Sequence, residues 1–465
     1  MGHQVKIAVQ KLTKDHNFLS LAANITGAAA GLLSFILLTR VLSIDDFGKW
    51  ILFITPAGFV DMFRLGLIRE AIVRFLAAPS PSERKYYLGS SWFLGLTILL
   101  GVSIILWTVI AIFPKEIQSS GYDEFFYWYP LYGLACMPWH IAWAILQAEL
   151  EFAKIFWLRF FNLCSFLLIL LLGYFLFPIN IRFAIILLIL SHGFTSLFCL
   201  FRKWTGIEFM RYISKEKVKV LLAFGQFSMA TRIGSSLLKG ADSLIIGLSV
   251  FLGPAGVAIY AIPLKYLEFV EIPLISFATT AFPKLSKVSI ENNIDEFKKL
   301  FYEYTGAIIY LFIAIALFSF LFAKPFITIL GGPQYHALLP EISLILYVFI
   351  IFALMLPLDR FTGVALDSLN RPQKNFYKIL FMAGANIIGD FVVVFGFHAL
   401  FPSMSATTLL FFVACVSILF NCIGLVVGYH YLKQEIDISF LKIFTSGFYL
   451  YKEYTNKILL KIKRR

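Results

Sequence analysis

Residues 182–201 read RFAIILLILSHGFTSLFCLF and run straight into Arg202 and Lys203. This stretch, with its single charge at the leading edge, suits a helix crossing the ~30 Å hydrocarbon core of a bilayer. The stretch before it, 155–177 (IFWLRFFNLCSFLLILLLGYFLF), is of the same kind. Reading outward, about twelve such spans appear: 18–39, 47–76, 88–113, 125–147, 155–177, 182–201, 221–248, 255–281, 299–323, 339–366, 376–400 and 406–431. The second holds Pro56, Gly58, Asp61 and Arg64, which predicts a kinked or broken helix. Composition agrees. The chain is 60% hydrophobic and 14% charged, against ~25% charged in soluble domains, which excludes a soluble multi-domain enzyme. Five cysteines fall inside apolar stretches without paired spacing and read as small buried hydrophobes.

The net charge of +13 would suggest nucleic acid in a soluble chain, but its distribution says otherwise. With an even number of spans, 30 of the 40 basic residues fall on the side shared by the two termini and only five on the other: Arg40, Lys49, Lys115, Arg182 and Lys324. The positive-inside rule then predicts cytoplasmic termini and no nucleic-acid partner. The start, Met-Gly-His-Gln-Val-Lys, lacks an apolar core before a cleavage signal, so no removable signal peptide is expected, and Lys6 breaks the myristoylation pattern. The final Lys-Ile-Lys-Arg-Arg reads as a basic cytoplasmic tail on anionic lipid, or as a topology determinant alone.

Six spans return the chain to its starting side, so two halves of six fit parallel repeats, 1–215 and 216–431, followed by the tail 432–465. Traces of a repeat are present: Leu146, Lys154 and Phe156 each have a like residue 220 positions on, in Leu366, Lys374 and Phe376. The turn Leu42-Ser43-Ile44-Asp45-Asp46-Phe47-Gly48-Lys49-Trp50 and the turn Leu252-Gly253-Pro254-Ala255-Gly256 ahead of Tyr260 both put Gly and then an aromatic at the mouth of a half's second helix. Together with Pro273, Phe282-Pro283-Lys284-Leu285-Ser286-Lys287 and Leu330-Gly331-Gly332-Pro333-Gln334-Tyr335, these resemble the Wzx-type polysaccharide-biosynthesis flippases, of the multidrug/oligosaccharidyl-lipid/polysaccharide exporter superfamily. The resemblance covers most of the chain. It implies an all-α polytopic protein with two six-helix bundles around a central cavity, moving undecaprenyl-pyrophosphate-linked oligosaccharide outward across a bacterial cytoplasmic membrane.

Five bases and six acids remain inside spans: Arg64, Arg232, Lys239, Lys265 and Arg360; Asp61, Asp242, Glu268, Glu271, Asp359 and Asp390. A charge at the bilayer centre costs ~2.5–3.5 kcal/mol, so each needs a partner or a wet cavity. Asp61 with Arg64, Lys239 with Asp242 and Lys265 with Glu268 are spaced i, i+3, as self-neutralising pairs or as substrate contacts. Arg232 has only Ser228, Met229, Ser235 and Ser236 one turn away. Its guanidinium suits a pyrophosphate, with Ser235 and Ser236 adding hydroxyls and Lys239 on nearly the same face, or it pairs with an acid on another helix. Arg64 and Arg232 both fall in the half expected to be cytoplasmic, where substrate is captured. Asp390 and Glu271 have no base at i±3 or i±4, so either titrates or binds Na⁺, or answers Arg232 or Arg360. Pro263 and Pro273 bracket Lys265, Glu268 and Glu271 and predict a bent eighth span.

His140 and His192 are isolated, without metal-ligand spacing. Asp45-Asp46 is the kind of outer-loop acid pair that membrane glycosyltransferases use, but the flanking Leu42-Ser43 and Phe47-Gly48 fit the flippase turn better. No phosphate-binding Gly loop runs into Lys-Ser or Lys-Thr, so no ATPase, metal or organic cofactor is expected, only Na⁺ or H⁺ coupling. The expected function is a non-enzymatic flippase working by alternating access for surface polysaccharide such as O-antigen, capsule or exopolysaccharide. Glycosyltransferases and a polymerase would be its partners. The alternatives are a multidrug exporter of the same superfamily, a membrane glycosyltransferase or polymerase, and a peptidoglycan-precursor flippase, whose branch resembles a fourteen-helix plan.

Overall fold

The structure, a computed structural model, describes residues 16–76 and 81–463, without the side chains of 16–25, 81, 227–235, 238–239, 450 and 453–463. Twelve long helices stand at the twelve expected spans. They are α1 (His16–Val41), α2 (Ile44–Leu76), α3 (Pro81–Ile112), α4 (Asp123–Ala148), α5 (Phe152–Leu176), α6 (Ile181–Phe201), α7 (Lys215–Leu248), α8 (Gly253–Ile290), α9 (Ile294–Leu321), α10 (Leu339–Ser368), α11 (Pro372–Phe391) and α12 (Ala406–Glu435). A further helix, α13 (Phe440–Lys463), ends the chain. Eight of the helices are long and apolar enough to cross a membrane on length and composition. Charges at Lys265, Glu268 and Glu271 lower the apolarity of α8, and Tyr, Trp and Pro residues lower that of α4. The expected break in the second span is absent: α2 runs continuously through Pro56. Likewise α8 is one helix through Pro263, Pro273 and Pro283.

The chain divides into two compact units, one of residues 1–236 and 246–258, the other of 237–245 and 259–465. The division therefore differs from that expected after residue 215. Residues 216–236 fold with the first unit, and residues 432–465 fold with the second rather than standing apart as a tail. Within the first unit α3 packs on α4, α4 on α6 and α5 on α6; within the second, α9 packs on α10, α10 on α12 and α11 on α12. The same three pairings thus recur six helices later.

The turn before α2 shows why its sequence reads as it does. Ser43 Oγ accepts from the Asp46 amide at 3.1 Å and caps the helix. Asp45 and Asp46 sit in the first turn, where the helix dipole favours negative charge. That placement accounts for the acid pair without catalysis. Gly48 packs against the backbone of Pro254, within the same unit: a Cβ at 48 would lie 1.8 Å from the Pro254 carbonyl oxygen. The first-half turn and its second-half counterpart are in contact, and the residue at 48 has no room for a side chain.

At the C-terminus α13 lies along α9. The Ser439 amide donates to Tyr302 Oη at 2.8 Å, and Tyr451 Oη donates to the Ala307 carbonyl at 3.0 Å. Between these ties the backbones meet at Gly306 and Gly447, where a Cβ on Gly447 would lie 2.6 Å from the Gly306 carbonyl carbon. Small residues permit such approach between helices in lipid. We expect Gly447→Leu to push α13 off α9, at a cost of about 1–3 kcal/mol, seen as a lower unfolding temperature in detergent and as protease cleavage within 440–463. Nearby, Lys374 Nζ and Arg371 Nε donate to Glu435 at 2.7 and 3.0 Å, joining the start of α11 to the end of α12. The Lys374 hydrogen bond first, then Arg371, holds the Glu435 carboxyl below its ordinary 4.5. A depressed carboxyl pKa stabilises above the unfolded value and is lost as pH falls through the folded one. Glu435→Gln should therefore lower stability by about 0.5 kcal/mol near pH 7, since the group is half-buried and its partner Arg371 is exposed. The difference from wild type should vanish in melts performed at pH 3.

Candidate functional sites in the two helical units

The centre of the first unit is built on α2 and α4. Arg64 is fully buried. Its Nη2 donates to Asp61 Oδ1 at 2.7 Å, one helical turn away, and its Nη1 donates to the Gly133 carbonyl at 3.0 Å. Tyr129 Oη donates to the same Asp61 oxygen at 3.0 Å. A guanidinium with these partners is spent on structure. Arg64 thus does not meet the expectation of a substrate-binding base: it is enclosed and neutralised by Asp61. Its Nε is buried without a partner.

One turn further along α4, His140 Nδ1 lies 3.0 Å from the Cys136 carbonyl oxygen. An Nδ1–H donated to that carbonyl fixes the tautomer and leaves Nε2 as the free nitrogen. Ligand atoms of Asp61, Cys136 and His140 all lie within 4.8 Å of one another. The fold therefore gathers a carboxylate, a thiol and an imidazole able to hold a metal ion, from residues 61, 136 and 140 that carry no metal-ligand spacing in the sequence. His192 is also partnered: it lies 3.1 Å from Asn162 Nδ2 and stacks on Trp139. Every cysteine in the chain is free.

The second unit has a different centre. Asp242 on α7 is buried, and its Oδ2 accepts from Tyr260 Oη at 2.6 Å and Ser417 Oγ at 2.9 Å. Its Oδ1 accepts from Asn386 Nδ2 at 2.8 Å, and the same nitrogen donates to Asp390 Oδ2 at 2.9 Å. One amide thus bridges two buried carboxylates. Asp390 Oδ1 is buried and has no hydrogen-bond partner. Immediately after Asp390 the helix widens into a π-helical stretch, Val392–Phe397, a distortion concentrated at functional sites. Among the described residues no basic side chain touches either acid. Two carboxylates so placed need a proton or a bound cation to offset their charge. The oxygens of Asp242, Asp390, Tyr260 and Ser417 are hard donors, of the kind that hard cations prefer.

Of the residues singled out from the sequence, Asp61 and Arg64 form their expected pair, and so do Lys265 and Glu268, at 2.5 Å. Asp242 is bonded to Tyr260, Asn386 and Ser417. Asp390 is joined to Asp242 through Asn386. Glu271 is half-buried on α8, and Ser236 Oγ donates to Met62 Sδ at 3.1 Å. The side chains of Arg232, Ser235 and Lys239 lie outside the described residues. Sequence reading passed over Tyr129, Tyr260, Asn386 and Ser417. Polar residues inside otherwise apolar spans were the available signal.

Residues 14–289 match the family model described as polysaccharide biosynthesis protein. No curated protein shows significant sequence similarity to the chain. Among solved structures, the fold is shared with an inward-facing multidrug resistance MATE family transporter of the MOP superfamily (14% identity, 88% of this chain and 95% of that one, TM-score 0.72). It is shared also with the lipid II flippase MurJ in an inward closed conformation (16% identity, 94% and 92%, TM-score 0.68). A third is a MOP superfamily transporter from Pyrococcus furiosus (14% identity, 92% and 98%, TM-score 0.58).

The first-unit pair yields a structural test. Arg64→Ala strands the Asp61 carboxylate in a buried site and should cost about 3–5 kcal/mol, whereas Asp61→Asn combined with Arg64→Gln removes both charges and should recover much of it. Membrane abundance and melting temperature give the comparison. An Arg64→Ala protein as stable as wild type would show that the guanidinium is not spent on Asp61.

Proposed function

Because this chain belongs to the polysaccharide biosynthesis protein family, we propose that it is a flippase for a lipid-linked oligosaccharide. The cargo in this reading is an undecaprenyl-pyrophosphate glycan destined for O-antigen, capsule or exopolysaccharide. The chain crosses the bacterial cytoplasmic membrane with both termini inside, as the 30 basic residues on one side favour. It makes and breaks no covalent bond; glycosyltransferases supply its cargo and a polymerase consumes it outside.

The observation that carries the mechanism is the Asp242–Asn386–Asp390 bridge. A Na⁺ or H⁺ taken up there offsets one of the two negative charges that span α7 and α11, and its release restores their repulsion. Such a site gives two arrangements of the second unit different affinities for the ion. That difference is what an ion gradient needs to drive alternating access. Arg232, Ser235, Ser236 and Lys239 on α7, with Lys265 on α8, remain the proposed contacts for pyrophosphate and glycan, Lys265 sharing its charge with Glu268. A multidrug exporter is the second reading, supported by the fold shared with the MATE transporter.

Deleting the gene should remove surface polysaccharide and leave the lipid-linked intermediate on the inner face, and the wild-type chain should restore display. Asp390→Asn should reach the membrane at wild-type level yet restore less than about a tenth of display. A deletion strain that keeps its surface polysaccharide but gains drug sensitivity would replace the flippase with the exporter. Full rescue by Asp390→Asn would remove the acid bridge from the mechanism.

A further inference from the structure

Near the ends of α8, α10 and α11 that lie on the Lys- and Arg-rich side, the second unit encloses a cavity of about 370 Å³. Two acids line it, and both are satisfied. Asp359 Oδ1 accepts from Lys378 Nζ at 2.6 Å, and Lys378 is only 2% exposed. Asp367 accepts twice from Asn375 Nδ2, at 3.1 and 3.2 Å. What remains is Arg360, exposed into the same cavity, near enough to Asp367 to attract it but with no described carboxylate within ion-pair distance. A second group is left over as well: Asn375 Oδ1 is buried without a donor. Gly363 makes room for that amide, since a Cβ there would lie 2.9 Å from Asn375 Oδ1. The cavity therefore offers one free forked cation and one free acceptor beside an apolar wall that includes Phe282, Val364 and Ile379.

Depth in the bilayer narrows the occupant. Arg360 precedes the end of α10 by eight residues, about 12 Å along a helix. The helix has 30 residues, about 45 Å, and so overhangs a ~30 Å hydrocarbon core. Arg360 then sits close to the level where headgroups meet acyl chains, on the basic side. Basic pockets between membrane helices at that level take anionic headgroups, and a guanidinium suits phosphate because it donates two parallel hydrogen bonds.

We propose that this cavity binds the phosphate of a lipid. Arg360 takes the phosphate oxygens, a neighbouring hydroxyl of the same molecule donates to Asn375 Oδ1, and the lipid chain lies along the wall at Phe282, Val364 and Ile379. Two lipids carry this chemistry: the diphosphate end of a polyprenyl-linked sugar and the hydroxylated headgroup of an anionic glycerophospholipid. The first of these rests on the flippase reading; the second does not.

The test uses the full chain in phosphatidylcholine nanodiscs, with farnesyl diphosphate, dioleoylphosphatidylglycerol and inorganic pyrophosphate as separate probes. Arg360 is exposed and unpaired, so Arg360→Gln should keep the wild-type melting temperature. Its affinity for one or both lipid probes should fall about tenfold or more, the size of one lost charge-assisted pair. Lys299→Gln, an exposed basic residue on the same side, should bind as wild type. Loss confined to farnesyl diphosphate assigns the site to cargo, and loss confined to phosphatidylglycerol assigns it to a resident lipid. Either result supports the site. Wild-type protein that binds neither lipid, Arg360→Gln that binds both as tightly, or pyrophosphate that binds as well as the lipids would overturn it. Arg360-dependent binding in a protein whose deletion leaves surface polysaccharide intact would refute the flippase reading while leaving the lipid site standing.

Discussion

A charge carried into hydrocarbon must find its opposite, a proton or water, and this requirement organises both units. In the first, Asp61 and Arg64 close on each other within one turn of α2, and Tyr129 and the Gly133 carbonyl complete their hydrogen bonds from α4. The result is electrically closed. In the second, Asp242 and Asp390 share an amide, and among the described residues no base balances them. An open balance deep in the protein is costly unless something mobile closes it. Among the described residues the two centres therefore differ, one a closed ion pair and the other a pair of acids bridged by an amide.

The chain shares its fold with MOP superfamily proteins, and the local geometry explains why the acids of the second unit are the more informative. Asn386 is one turn before Asp390, and the π-helical stretch starts two residues after it. A widened turn leaves the backbone ladder less tightly fixed than regular helix does. The binding group and the adjustable backbone are consequently neighbours, an arrangement that lets occupancy be felt along α11.

The helices were readable in the sequence because apolar length is a local property: each span needs only its own residues to declare itself. The same holds for contacts one turn apart, and both Asp61–Arg64 and Lys265–Glu268 formed as spaced. Spacing told only part of the story at Asp242, whose nearest base by sequence is Lys239, because three further partners arrive from other helices. Tyr260, Asn386 and Ser417 lie 18, 144 and 175 residues away, and no periodicity announces them. Cys136 and His140 share a helix face by their spacing, but Asp61 reaches them from another helix, and that contact escaped notice for the same reason. Asp45 and Asp46 resemble a catalytic pair only in isolation; their flanking residues point to a turn, and a helix start with a serine cap accounts for them.

The close seat of Gly48 on Pro254 has a consequence for the order of synthesis. Residues 246–258 belong to the first unit although they are separated from its main segment by part of the second. Six helices can be made and inserted before that piece exists. The first unit is then missing the backbone that fills the space at Gly48, and it stays incomplete until translation passes residue 258. Domains of most proteins finish in the order in which they are made. Here the first to begin must wait for the second to be under way, so a chain cut between its halves leaves the first half without one of its own parts.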